Sequence, residues 1–167
     1  MIYKYFIKLT KAGISALIFF LPLKMEYLNN TIIISTQLKD PITKEIRELV
    51  KSGFVFGLEY YGVVIINDKK SYNNTEIKKL SYENEWYCND KMISEKEIQD
   101  EMGKVILKFP EIVLQEGDKV LIYIKSTILP DKDFKKSVGI PTKILWNYYI
   151  PSIKNTYIYK NGNLIKE

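Results

Sequence analysis

The 167-residue chain has no histidine, one cysteine and one arginine, and these scarcities exclude more chemistry than any motif supplies. Without histidine there is no Ser-His-Asp or Cys-His relay, no histidine-ligated zinc and no imidazole acid or base within the chain. A single cysteine, Cys88, permits neither an intramolecular disulfide nor a cysteine-rich metal site. Gly57 and Gly62 lack the Gly-Lys-Ser/Thr ending of a phosphate loop, and no dinucleotide fingerprint occurs. No apolar run reaches the ~20 residues that a spanning helix needs. No stretch is rich enough in proline, glycine and serine to be a linker. The sequence therefore assigns no catalytic residue, no metal and no cofactor.

The N-terminus is the most informative segment present. Lys4, Lys8 and Lys11 precede an apolar run at residues 12–23 (AGISALIFFLPL), Lys24 follows it, and residues 1–24 contain no acid. A basic head before a short apolar core is the pattern of an export signal, here centred on Ala12, Ile14, Leu17, Ile18, Phe19, Phe20 and Leu21. The residues that follow (Lys24, Met25, Glu26, Tyr27, Leu28) offer no small-x-small cleavage pattern, so an uncleaved anchor stands beside a cleaved signal. The remaining alternative is an amphipathic or buried first helix of a cytoplasmic protein. Cys88 is too far away to be the acylated residue of a lipoprotein signal. The expected organisation is a signal peptide or anchor over residues 1–24 and one domain over 25–167. That domain is expected outside the cytoplasm, periplasmic or held at the inner membrane.

The formal charge of +5 points toward nucleic acid until its location is considered. Four lysines lie in residues 1–24, which leaves 21 basic and 20 acidic groups in residues 25–167. Lysine supplies nearly all the positive charge, whereas phosphate and base-edge recognition draw on the guanidinium fork. Nucleic acid is thus not an expected partner. Residues 119–167 carry nine basic and three acidic groups against twelve and seventeen in 25–118. The basic third either faces an anionic partner or lies against the acidic remainder of the same domain, and the second reading is preferred.

Periodicity gives the elements. Residues 31–38 alternate as a strand with Ile32, Ile34 and Leu38 on one face. A helix is expected next, with Asp40 as N-cap, Pro41 at N1, a stripe of Ile42, Ile46, Leu49 and Val50, and Gly53 as its stop. Residues 54–67 read as a long strand with Phe54, Phe56, Leu58 and Tyr60 on one face and bulges or bends at Gly57 and Gly62. Residues 67–74 read as a polar turn. Strands at 77–82 and 85–88 follow, joined near Glu83-Asn84. Ser94 and Glu97 form a capping box, Ile93 and Ile98 a staple, and the helix they start is expected to bury Ile98, Met102, Val105, Ile106 and Phe109 before Pro110. Gly117-Asp118 turns into a strand carrying Val120, Ile122 and Ile124, and Asn161-Gly162 marks a terminal hairpin. The result is an α+β arrangement, mainly antiparallel β and sandwich-like, with about seven strands and two helices of moderate length behind an N-terminal signal or anchor helix.

Candidate chemistry is sparse. Glu83 and Glu85 read as solvated turn residues in preference to a glycosidase pair, and Glu95, Glu97, Asp100 and Glu101 as charges favoured at a helix start. Asp131 and Asp133 read as a plain turn in preference to a calcium site. Cys88 reads as a buried small apolar residue. No local motif supports a Ser/Lys hydrolase. Thirteen tyrosines leave aromatics as the lead, and the candidate interaction patch is Trp146, Tyr148 and Tyr149 beside Lys143 and Lys154. Packing under the C-terminal hairpin is the competing account of that cluster.

An extended first strand, a short helix ending in Ser52-Gly53 and a long aromatic strand from Phe54 come first. Leu80-Ser81-Tyr82, Trp86-Tyr87, the Ser94-started helix and Gly117-Asp118 opening Val120 to Lys125 complete the order. It resembles an uncharacterised bacterial domain-of-unknown-function family of short, signal-bearing, β-rich exported proteins, over roughly residues 30–130. The resemblance implies an exported β-rich domain and brings no catalytic residue. Together these readings lead to the expectation of a non-catalytic extracytoplasmic module, partnered by an envelope protein or a membrane surface. An envelope hydrolase using carboxylates or Ser/Lys and a cytoplasmic basic binder are the alternatives. Oligomeric state is left open.

Overall fold

The computed structural model describes residues 18–129 and 150–167. The described chain is mostly antiparallel β, with ten strands in two sheets and two short helices. In chain order the strands are β1 (Lys24–Leu28), β2 (Thr31–Gln37), β3 (Phe56–Ile66), β4 (Lys70–Tyr82), β5 (Trp86–Cys88), β6 (Lys91–Ile93), β7 (Lys104–Phe109), β8 (Lys119–Leu129), β9 (Ser152–Lys160) and β10 (Asn163–Lys166). Helix α1 (Lys44–Lys51) lies between β2 and β3, and α2 (Ile98–Gly103), entered through a 3-10 turn at Glu95–Glu97, lies between β6 and β7. One sheet has the order β1-β2-β7, the other β10-β9-β8-β3-β4-β5-β6.

Alternation builds both sheets. In β2 the buried positions are Ile32, Ile34 and Thr36, and in β8 they are Val120, Ile122, Ile124 and Ser126. The three-stranded sheet packs on the inner face of the seven-stranded one, with Leu107 and Phe109 of β7 set directly over Gly62 of β3. Both helices share that inner layer. Ile46 and Val50 of α1 and Ile98 and Met102 of α2 are buried in the common core. The Tyr60 hydroxyl donates to the Met102 carbonyl, which fixes α2 over the centre of β3.

Asparagine sets the hairpins. Asn29-Asn30, Asn67-Asp68, Asn89-Asp90 and Asn161-Gly162 all carry positive φ at both residues, the conformation of a type I′ turn whose twist matches the strands it joins. Only the last was anticipated. The polar residues 70–74 are therefore strand: with the reversal compressed into Asn67-Asp68, β4 pairs with β3 from Lys70 onward.

Four expectations need correction. The N-cap of α1 is Thr43, whose hydroxyl accepts the Ile46 N–H at 3.3 Å, because Asp40 takes φ +48 in the turn before it. Gln99 grips Ile42 on both sides, accepting its N–H at 3.1 Å and donating to its carbonyl at 2.7 Å. Gly57 and Gly62 are not bulges, since the β3–β4 and β3–β8 registers run unbroken through them. The helix after Ser94 stops at Gly103, and Lys104–Phe109 is a strand. Lys104, Ile106 and Lys108 face out while Val105, Leu107 and Phe109 face in, a period of two that apolar spacing alone reads as a helix stripe. The described residues hold ten strands against the expected seven or so: Lys24–Leu28 and Lys91–Ile93 are short strands to which the sequence assigns no element, and Lys104–Phe109 is the strand expected as the end of a helix.

The capping box forms as expected: Ser94 donates to Glu97 Oε2 from its backbone N–H at 2.8 Å and from its hydroxyl at 2.7 Å. These two donors hold the Glu97 carboxyl below the usual carboxylate range.

The free edge of β7 is covered by side chains of β4. Glu76 accepts the Ile106 N–H at 3.1 Å, and Asn74 donates to the Lys108 carbonyl at 2.8 Å. An edge satisfied in this way has fewer unpaired groups to offer a further strand.

Candidate interaction surface

Of the expected patch, Trp146, Tyr148, Tyr149 and Lys143 lie outside the described residues; Lys154 is exposed on β9. Its neighbours define a surface the sequence reading did not isolate. Residues of β3 at even positions from 56 to 66 face the core, so Glu59, Tyr61, Val63 and Ile65 face the opposite way. Register places Tyr123 between Val63 and Lys154, Leu121 beside Ile65 and Thr156, and Lys125 beside Tyr61. The pairing of Thr127 with Glu59, hydroxyl to carboxylate at 3.3 Å, fixes these odd positions on one face.

The face mixes apolar and tyrosine side chains with lysines, Lys125 beside Tyr61 and Lys154 beside Tyr123. Tyr61, Val63, Ile65, Leu121, Tyr123 and Ile158 are all half-buried on the side of the sheet away from the core. Ile77 and Ile165 extend the apolar surface at 45% and 52% exposure. Lys125 Nζ lies 5.4 Å from the Tyr61 ring centroid, a cation–π pair. Among the described strand residues this face carries Lys79, Lys119, Lys125, Lys154 and Lys160 against Glu59 and Glu167. Part of the basic excess of residues 119–167 thus lies on one exposed face, whereas the sequence reading favoured its lying against the acidic part of the domain. Lys119 does pair with Glu167 at 3.7 Å, but on this same face.

The apolar run divides at residue 18. Ala12, Ile14 and Leu17 lie outside the described residues, whereas Ile18 and Phe20 are buried, Phe19 is exposed and Leu21 is half-buried. Among the described residues no helix is long and apolar enough to cross a membrane.

The alternative chemistries find little geometry. Glu83 and Glu85 are exposed around Asn84, and the Glu83 N–H donates to the Glu85 carbonyl at 3.0 Å, closing the turn. Glu95 lies 3.5 Å from Arg47 and 3.6 Å from Lys51 and ties the 3-10 turn to α1. Lys78 is buried, donates to the Glu101 carbonyl and lies 3.8 Å from Glu76. Ser126 is also buried, but its Oγ has no hydrogen-bond partner among the described residues, so it and Lys78 do not form a Ser–Lys pair. Among the described residues no three His, Cys, Asp or Glu side chains converge on a metal position. Asp131 and Asp133 lie outside the described residues.

Cys88 is buried as expected, with Sγ 3.6 Å from Met102 Sδ. Burial pushes its thiol up from the ordinary value, and the nearby Lys78 does not offset it. Alkylation by iodoacetamide at neutral pH is expected to be at least tenfold slower in the native chain than in the denatured chain; equal rates would exclude the buried thiol. The two fully buried hydroxyl-bearing neighbours, Tyr60 and Ser126, stand opposite each other in register. Desolvation raises the Tyr60 phenol far above its ordinary range, which keeps it a neutral donor.

No family model, curated protein or solved structure matches the chain.

Proposed function

We propose that this chain is a non-catalytic, extracytoplasmic binding module. Its partner, an envelope protein with an acidic surface, seats on the outer face of the seven-stranded sheet. The observation that carries the reading is the composition of that face, where Tyr61, Tyr123 and aliphatic side chains lie interspersed with lysines. Aromatic residues on a rigid sheet offer large contact area at little entropic cost and are enriched at protein interfaces. Five lysines against two glutamates favour an anionic partner. The N-terminal basic head and apolar run support the compartment.

The test is a photo-crosslinking amino acid at Tyr61 in intact cells, with the same probe at Val113, exposed in the loop after β7, as control. A discrete adduct with an acidic envelope protein is expected from position 61 alone. Lys125→Glu with Lys154→Glu is expected to reduce it at least tenfold, as is raising the salt. Equal labelling from both positions, or an adduct indifferent to charge reversal, would overturn the reading.

A further inference from the structure

Residues 18–23 have two uses in this chain that exclude each other. As sequence they are the second half of the apolar run that reads as a signal or anchor core. In the fold they are extended chain laid along the end of β2 and built into the core. The Leu21 N–H donates to the Gln37 carbonyl and the Lys39 N–H to the Phe19 carbonyl, both at 2.8 Å. Phe20 forms a β-bridge with Leu38, and the Thr36 hydroxyl donates to the Leu21 carbonyl at 2.6 Å. Side chains alternate with period two. Ile18 is 5% exposed, Phe19 42% and Phe20 7%, and the Phe20 ring meets Tyr60 edge-on with centroids 6.3 Å apart. A membrane helix would present these residues at 100° intervals with its backbone bonds internal, so neither arrangement can coexist with the other.

We infer that Ile18 to Leu23 belong permanently to the mature domain, so any cleavage falls before Ile18 and not at the Leu23–Lys24 boundary. Loss of residues 18–23 would uncover Tyr60 and Leu38, both completely buried, and leave Thr36 without its acceptor. Folding of the domain also withdraws half of the apolar run from any membrane use, leaving only residues 12–17, far short of a span. An intact run in the bilayer and a completed domain are therefore successive states of one segment.

Phe19 and Phe20 separate the two uses, because they weigh equally in a signal or anchor and oppositely in the fold. In the full-length chain, Phe20→Ala is expected to lower the unfolding midpoint by on the order of 10 °C, and Phe19→Ala by at most about 2 °C. Equal shifts in the two variants would overturn the inference. The second measurement is the intact mass of the folded protein recovered from cells. An N-terminus at or before Ile18 is expected, and a stably folded species beginning at Lys24 or later would overturn it.

Discussion

Gly103→Ala is expected to destabilise the protein by about 3 kcal/mol or more, because the added carbon meets backbone and not side chain. Gly103 ends α2, and its carbonyl accepts the Leu38 N–H at 2.8 Å, the bond that joins the α2–β7 junction to the end of β2. A β-carbon there would lie inside contact distance of the Leu38 carbonyl oxygen. Neither atom is on a rotatable side chain, so relief requires β2 and the α2–β7 junction to separate, breaking that hydrogen bond and disturbing buried Leu38 and Met102. Chemical denaturation would show a lower midpoint at unchanged slope. A loss under about 1 kcal/mol would mean that the junction relaxes freely.

Gly62→Ala is expected to cost about 1–3 kcal/mol for a related but softer reason. Its β-carbon would overlap Leu107 Cδ1 and lie 3.1 Å from Phe109 Cζ, both far ends of side chains. The two sheets approach closely here because β3 has no side chain under β7, and Leu107 and Phe109 fill that space. Leu107→Ala alone is expected to cost about 2–5 kcal/mol through the cavity it leaves. In the double variant the new methyl at 62 occupies part of that cavity, so its destabilisation should fall short of the sum by on the order of 1 kcal/mol. Strict additivity would show that the two residues do not share the space.

Strand content and most core assignments could be read from single residues. Ile32, Ile34, Leu58, Tyr60, Ile122 and Ile124 alternate, and each is fully buried. The capping box at Ser94 and the turn at Asn161-Gly162 were also legible, since each depends on a few adjacent residues. Lys104–Phe109 was not. Met102, Val105, Ile106 and Phe109 fit a helical stripe, and the pairing with β2 that decides the matter lies some 70 residues away in sequence. The three missed hairpins had a signal in Asn29-Asn30, Asn67-Asp68 and Asn89-Asp90, which favour positive φ almost as Asn-Gly does.

The candidate surface illustrates the same division. Tyr61, Val63 and Ile65 are as apolar as the residues they alternate with, so no pattern along β3 distinguishes the face that meets β7 from the opposite one. What the sequence determined by itself was chemical: no histidine, no intramolecular disulfide, a basic N-terminal head and a near-neutral remainder. Which alternate residues face the second layer, and whether the end of an apolar run lies in a core, were decided only by tertiary structure. Local spacing sets the period of an element, but burial depends on what distant strands bring against it, as Tyr60 and Leu38 do for Phe20.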